Sequence, residues 1–263
     1  MVVPELPDLE VFKENLKKHL LGSALRAIEA ANPRNVLPPG GPLLEQFIGQ
    51  PLADIDRSGK ELIFLFPERK FFAIHLMLNG GMQLCDDPAQ VGAVKYRIAS
   101  FRFGERTLVV SDPGGLCKVR FMPQLTKVPD AFSPEFTPTY LADRLARNPL
   151  LNIKAFLIDQ KMVKGIGNAY ADEILWESRI SPLSLCGKLP PEAVARLHAA
   201  IGTVLREAIA SIKREAPEII SGEIRSFLKV HQPRCKQSPT GKAIQVQKVA
   251  SKTTYFTEEQ ILY

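Results

Sequence analysis

The sequence predicts an α+β multidomain protein: an N-terminal helix with an antiparallel β-sandwich, then a helical half that ends in a basic β-hairpin. Three observations carry this. Short apolar runs separated by turn residues extend from Ala24 to Phe121, a proline-rich stretch over 122–138 lacks any sustained periodicity, and helical spacing of apolar residues dominates after it. With 263 residues, 45% of them hydrophobic, the chain is long enough for two cores, and disordered or collagen-like architectures are excluded.

Asp8 stands where a cap of the first helix is expected. Leu9, Phe12, Leu16 and Leu20 fall on one face of it, and Gly22 can end it. Glu61 to Phe66 and Lys70 to Leu78 read as strands around a turn at Pro67-Glu68; Tyr96 to Phe103 and Thr107 to Ser111 do so around Gly104-Glu105. Such pairs build an antiparallel sandwich, with the helix over one end. Pro123, Pro129, Pro134 and Pro138 mark a linker. Helices are expected at Tyr140 to Arg147, Ile153 to Gln160 and Ala169 to Glu177. A long one opens at Pro190-Pro191, and its Val194, Leu197, Ile201, Val204, Ala208 and Ile212 form a core-facing stripe. The expected divisions are 1–125 for helix and sandwich, 126–138 for the linker, 139–224 for the helical domain and 225–263 for the terminal hairpin.

The net charge of +6, from 34 Lys and Arg against 28 Asp and Glu, traces to one stretch. Arg225, Lys229, Arg234, Lys236, Lys242, Lys248 and Lys252 occur there with no acidic residue among them. Holding Pro, Gly, Val and Ile as well, the stretch reads as a folded basic hairpin aimed at a polyanion. A solvated Lys-rich surface fits the charge alone equally well. Cys85, Cys117, Cys186 and Cys235 form no C-x-x-C pair and read as reduced thiols of a cytoplasmic protein. The longest apolar stretch, Phe71 to Leu78, contains His75 and is too short to span a bilayer, and no basic signal region opens the chain. A cytoplasmic location, at the nucleoid in a prokaryote, and no membrane partner are expected.

Between two expected helices lies Lys161-Met162-Val163-Lys164-Gly165-Ile166-Gly167-Asn168. Its glycines let backbone amides approach an anion, and Asn168 opens a helix whose N–H groups favour a phosphate. Alone, G-x-G-N also fits an ordinary helix–helix turn. The longer string Gly165-Ile166-Gly167-Asn168-Ala169-Tyr170-Ala171-Asp172-Glu173 resembles the helix-two-turn-helix signature of the formamidopyrimidine-DNA glycosylase and endonuclease VIII family. Pro4-Glu5-Leu6-Pro7-Asp8-Leu9-Glu10 resembles that family's N-terminal Pro-Glu-Leu-Pro motif. Two motifs in this order, around a sandwich and a linker, extend the resemblance over essentially the whole chain.

The resemblance implies base-excision repair: a monomeric, cofactor-free DNA glycosylase with abasic-site lyase activity on double-stranded DNA that carries damaged bases or abasic sites. It implies an N-terminal sandwich, a helical half and a hairpin finger that grip DNA. Lys60 is implied as a phosphate contact beside the reaction centre, and Asn168, Lys164 and Lys252 as further DNA contacts. The implied nucleophile is an N-terminal proline. A free α-amine with a pKa of about 7.7–8 is partly neutral at physiological pH, and its attack on the anomeric carbon of the sugar yields an iminium. Glu5 would be acid and base, and the iminium then permits strand cleavage by elimination. Flipping the base out costs a few kcal/mol, offset by phosphate contacts and a wedge.

The sequence departs from that pattern at several places. Met1, Val2 and Val3 precede Pro4, so as written its nitrogen is an amide. Three readings follow. Val2, exposed by loss of Met1, serves as a primary-amine nucleophile, displaced by roughly 6–7 Å of extended chain; translation starts at Val3 and processing exposes Pro4; or the chain keeps the fold as a non-catalytic binder of damaged DNA or abasic sites. The family's zinc ligands fall on Gln237, Thr240, Thr257 and Gln260, which make no zinc set, so no metal and a zincless finger are expected. Leu78 and Leu116 stand as apolar wedges, with Gly114 and Gly115 where arginines are usual, and opposite-base discrimination is expected to be weak. Ala210 to Phe227 lacks the stretch that resembles the oxidised-purine capping loop. Oxidised pyrimidines, ring-opened purines and abasic sites are the lesions left open. A general basic nucleic-acid protein is the remaining, blander reading.

Overall fold

The apolar stripe near the N-terminus forms helix α1, Leu6–Leu20, with Leu9, Phe12, Leu16 and Leu20 fully buried. In this computed structural model, which describes residues 3–38 and 40–263, α1 starts before Asp8. Asp8 is therefore no cap; it lies in the first turn, where its charge favours the positive end of the helix. Gly22, at φ +77°, closes the helix as expected. Among the described residues no helix is long and apolar enough to cross a membrane.

Two units result. The first comprises Asp8–Thr126 with Pro4 and Ile212–Glu223; the second comprises Glu5–Pro7, Lys127–Ser211 and Ile224–Tyr263. These limits differ from the sequence reading. The stretch 139–224 is split at Ile212, the hairpin region 225–263 shares a unit with the helices, and most of the 126–138 linker packs within the second unit. Ala131 and Phe136 are buried in that unit's core, since single apolar side chains can find cover without forming a periodic pattern.

In the first unit the elements after α1 are β1 (Leu25–Glu29), β2 (Val36–Leu37), α2 (Pro42–Glu45), β3 (Asp54–Ser58), β4 (Glu61–Leu65), β5 (Phe71–His75), β6 (Gly81–Cys85), α3 (Pro88–Ala93), β7 (Arg97–Phe103), β8 (Arg106–Ser111) and β9 (Lys118–Phe121). They pair as a four-stranded sheet, β1-β7-β8-β6, and a five-stranded sheet, β2-β9-β5-β4-β3. Phe72 of β5 stacks on Phe101 of β7 with ring centroids 4.6 Å apart, and Phe64 of β4 on Phe103 at 6.4 Å. The two inner faces thus share one core, as in a sandwich. Its pairings are antiparallel except that β2 runs parallel to β9. That pairing joins a two-residue strand to a partner far downstream, which no local turn signal could announce.

The second unit holds α4 (Pro138–Ala146), α5 (Ile153–Ile158), α6 (Asn168–Glu177), α7 (Pro191–Glu215), β10 (Gln245–Val249) and β11 (Lys252–Phe256). Leu197, Ile201, Val204 and Ala208 of α7 are buried with Phe156, Tyr170 and Ile174, while Val194 is partly covered. β10 and β11 join through Ala250 and Ser251, both at positive φ (+51° and +61°), the geometry of a two-residue primed hairpin turn that usually selects Asn-Gly. The basic stretch is not one basic hairpin. Only Lys248 and Lys252 of its seven cations lie on these strands. Arg225 lies over the Tyr170 ring, Lys229 pairs with Glu177 and Glu207, and Lys242 pairs with Glu258.

Candidate functional site

The polar centre of the second unit is built on the N-terminus of α6. The loop before it makes a close approach to the start of α1. Gly165 sits at φ +101°, and a Cβ there would lie 2.6 Å from Leu6 Cδ1, so glycine is required on two counts. The Leu6 N–H donates to the Gly165 carbonyl at 3.1 Å. Gln160 pins the same loop, accepting from the Gly165 N–H at 2.9 Å and donating to the Ile166 carbonyl at 2.8 Å. Glu5, only 4% exposed, is thereby seated at the helix end. Its Oε2 accepts from the Gly167 N–H at 2.5 Å and its Oε1 from the Ala169 N–H at 3.0 Å. This corrects the phosphate cradle expected at Gly165–Asn168: two of the amides that would face an anion already face a carboxylate of the chain itself. The Lys164 main chain pairs with Pro129 and Ala131 across the unit's edge.

Asn168 connects this end of α6 to the hairpin: its Nδ2 donates to the Thr253 carbonyl, next to Lys252, at 3.0 Å. Beneath it lies a buried cluster that sequence reasoning missed. Lys154 and Asp172 are both sealed from solvent and 2.7 Å apart. The Lys154 ammonium also donates to Thr254 Oγ1 at 2.6 Å. Asp172 Oδ2 accepts from the Tyr255 N–H at 3.0 Å and meets His231 Nδ1 at 2.7 Å. Burial pushes the Lys154 ammonium pKa below the usual lysine value, against the opposing pull of Asp172 and Glu5. One signal was available: a lone lysine inside the apolar run Ile153–Ile158. Glu5, Asn168 and Lys252 thus come together in the second unit, around a cluster whose Lys154, Thr254 and His231 belonged to no recognised motif.

The first unit carries Lys60, Leu78, Leu116 and Pro4. Lys60 follows Gly59 in the β3–β4 turn. Arg57 braces that turn, donating to the Gly59 carbonyl at 2.9 Å and to Glu10 at 2.8 Å. His75, across from Glu61, is held below the usual histidine pKa by burial, with Lys60 and Arg120 adding to the effect against Glu61. Two loops carry the apolar candidates. The Asp112 carboxylate accepts from the N–H groups of Gly114 (2.7 Å), Leu116 (2.6 Å) and Cys117 (2.8 Å), which presents Leu116 with 40% of its surface exposed. The other loop passes beneath it: Cys117 Sγ donates to the Leu76 carbonyl at 2.9 Å, and a Cβ on Gly80 would meet that same sulfur at 1.9 Å. Leu78 is half-buried on this second loop. Met77, beside it, takes φ +55°, unusual without glycine. Pro4 is buried; Val2 lies outside the described residues.

The four places assigned to metal ligands do not suit zinc. Gln260 spends Oε1 on the Thr257 N–H and Nε2 on the Ile180 carbonyl, each at 2.8 Å, and Thr240 donates to Glu259 at 2.7 Å. Zinc selects thiolate and imidazole, not amides and hydroxyls already committed elsewhere. Among the described residues no three His, Cys, Asp or Glu are grouped to hold a metal. All four cysteines are free thiols. Burial pushes Cys117 and Cys186 up to about 12, with Asp112 adding to the effect at Cys117, so both are protonated and unreactive.

Comparison with known proteins agrees with this geometry. The formamidopyrimidine-DNA glycosylase N-terminal domain matches residues 3–119, and the formamidopyrimidine-DNA glycosylase H2TH domain matches residues 128–216. The formamidopyrimidine-DNA glycosylase of Symbiobacterium thermophilum is 35% identical, over 79% of this chain and 70% of that protein. That of Lactococcus lactis subsp. lactis is 29% identical over 97% of both. Among solved structures, a Lactococcus lactis Fpg complex with abasic-site DNA superposes with a TM-score of 0.83 at 26% identity, covering 96% of this chain and 97% of that one. MutM in complex with DNA containing carbocyclic 8-oxo-G gives 0.82 at 26% identity, covering 97% and 98%.

Proposed function

The chain belongs to the formamidopyrimidine-DNA glycosylase family, and from that membership we infer its activity: it is a base-excision-repair DNA glycosylase that also cleaves double-stranded DNA at abasic sites. The observation that carries the reading is the seating of Glu5, whose two carboxylate oxygens are each fixed by a backbone N–H of the α6 terminus. A carboxylate held in this way, one residue after Pro4, is preorganised for proton transfer.

In the proposed reaction the amine of Pro4, as first residue of the active chain, attacks C1′ of the damaged nucleoside. The glycosidic bond breaks and the base leaves with its electron pair, to be protonated by water; the Glu5 carboxylate takes the proton released by the attacking amine and passes it to the ring oxygen, which opens the sugar. The resulting C1′ iminium acidifies C2′; loss of a C2′ proton expels the 3′ phosphate. Water then hydrolyses the iminium and returns the amine. The family match beginning at Val3 supports Pro4 over Val2 as the nucleophile.

Lys60, Asn168, Lys164 and Lys252 are assigned to the DNA backbone, and Leu78 and Leu116 to the gap left by the flipped base. Neither leucine can hydrogen-bond the opposite base, so discrimination there is weak. Abasic sites, oxidised pyrimidines and ring-opened purines are the proposed lesions. The enzyme acts as a monomer, with a finger that holds no zinc, at the chromosome in the bacterial cytoplasm. Borohydride trapping on an abasic duplex tests the chemistry. A chain beginning at Pro4 should give a covalent adduct and one beginning at Val2 none; an adduct from the chain beginning at Val2 and none from the chain beginning at Pro4 would transfer the role to the valine amine. Tight binding with no adduct from either would leave a binding protein.

A further inference from the structure

A two-stranded ribbon covers little surface. In β10 and β11 only Val249, Thr254 and Phe256 are buried, and an isolated hairpin of this kind is marginal in water. The Asp172 cluster fastens one strand, β11, through Thr254 and Tyr255. It does not reach the segment that enters β10. Lys242 and Glu258 link the entering and leaving segments, but both side chains are largely exposed, and an exposed pair of this kind contributes little; a less exposed link joins the same segments.

One carboxylate touches both. Glu259 Oε2 accepts from the Thr240 hydroxyl at 2.7 Å, in the segment before β10, and from the Thr257 hydroxyl at 3.2 Å, directly after β11. Its Oε1 lies 3.2 Å from the Arg179 guanidinium, just past the end of α6. Arg179 is itself oriented by the Trp176 ring, 4.8 Å away. Ser238 and Thr240 hydroxyls are 2.7 Å apart; because Thr240 donates to Glu259, Ser238 is the donor in that pair. The hydrogen bond from Thr240 comes first, and the charge of Arg179 after it, in holding the Glu259 carboxyl below its ordinary value. The side chain is one-fifth exposed (20%), which places these charge-assisted bonds partly out of water.

Thr240 and Thr257 occupy two of the places assigned to metal ligands, one on each side of the hairpin. We propose that Glu259 is the positioning residue of the hairpin: its carboxylate ties the entering segment, the leaving segment and the end of α6 at the place where a metal would otherwise join them. Presentation of Lys252 then depends on this carboxylate and not on a bound ion. This rests on the reading of the hairpin as a DNA-gripping element.

The test uses the full-length protein and a duplex containing a tetrahydrofuran abasic analogue, with amide hydrogen exchange over 245–256 measured on the same samples. Glu259→Ala should weaken binding by about tenfold, the scale of one lost charge-assisted hydrogen bond, and speed exchange in the hairpin while α4 and α7 keep wild-type protection. At saturating abasic duplex its adduct-forming rate should match wild type, so the loss falls on KM and not on kcat. EDTA should leave wild-type exchange and affinity unchanged. Thr240→Val removes one hydroxyl and keeps the carboxylate; it should act in the same direction more weakly, and add nothing in the Glu259→Ala background. If Glu259→Ala does not fold, Thr240→Val alone carries the test. Wild-type exchange and affinity in these variants, or an EDTA-induced loosening of the wild-type hairpin, would overturn the proposal. Lys252→Ala separates the two readings: if it binds DNA like wild type, the gripping role fails, while the exchange data still decide the role of Glu259.

Discussion

Glu5→Gln separates anchoring from chemistry at one residue. Glutamine keeps the volume and one carbonyl oxygen but turns the other oxygen into an N–H donor. Glu5 accepts from both Gly167 and Ala169, and glutamine can satisfy only one of them. The other amide is left buried without its acceptor, at a cost of about 1–3 kcal/mol. Against a typical domain stability of about 5–15 kcal/mol the variant stays folded. Removing a positioned general acid should slow the reaction by about 10²–10⁴-fold. Urea unfolding measures the first effect and single-turnover cleavage of an abasic duplex the second. Duplex affinity should stay within about threefold, or about 0.6 kcal/mol, because Lys252 and the hairpin are untouched. Glu5→Asp is the control: it keeps both acceptor oxygens but is one methylene too short to reach both amides, so it should lose stability and retain part of the rate. A wild-type single-turnover rate in Glu5→Gln would refute the proton-transfer role, and unchanged stability would refute the double anchor.

Two further expectations concern buried and partly buried charge. Lys154→Met strips Asp172 of its cation, and breaking a buried pair costs about 3–5 kcal/mol; combining it with Asp172→Leu should recover part of that, and a denaturation loss below about 1 kcal/mol for the single variant would show that the pair is not sealed in solution. At Glu10 burial raises the pKa, and Lys13 and Arg57 more than reverse it; at Asp112 burial is likewise outweighed by the N–H groups of Cys117, Gly114 and Leu116. Both folded values lie below the unfolded ones, so their stabilisation is complete above the unfolded pKa and disappears as pH falls through the folded one. Glu10→Gln and Asp112→Asn should therefore flatten the fall in urea-unfolding stability between about pH 5 and pH 3, and an unchanged slope would contradict the assignment.

What could be read from the sequence followed the range of each interaction. Helix α1 was legible because Leu9, Phe12, Leu16 and Leu20 repeat within one element, and the β4–β5 and β7–β8 hairpins because Pro67 and Gly104 mark their turns. Signals failed where partners are remote. Lys229 reads as a DNA-facing cation until Glu177 and Glu207 are found beside it. Asp8 reads as a cap because capping residues are recognised by type, while the helix in fact opens at Leu6. The β10–β11 turn carries no glycine, and its Ala250-Ser251 pair is held in the left-handed region by the surrounding ladder. The motifs did point to Glu5 and Asn168, but resemblance could not say that Glu5 occupies the amides where a phosphate had been expected.

Helix α6 shows why acidic residues sit in so buried a place. Eight of its ten residues are buried, so it has no solvated face on which to place charge, and an all-apolar helix would be the simpler solution. Yet Asp172 and Glu173 are among those eight. Each serves backbone that no regular element satisfies. Glu173 accepts from the N–H groups of Lys229, Val230 and His231 at 2.8, 2.8 and 2.7 Å, and Asp172 accepts from Tyr255. An unpaired buried N–H costs about 1–3 kcal/mol, so three of them at one carboxylate outweigh much of the burial penalty, which still raises the Glu173 pKa above its ordinary value. With Asn168 donating to Thr253, the C-terminal chain is fastened to α6 at three levels, through polar contacts whose directions fix one register. Apolar packing would bury the same surface without choosing that register. On the proposed reading, in which the hairpin presents Lys252 to DNA, the directional bonds serve that orientation better than additional burial would.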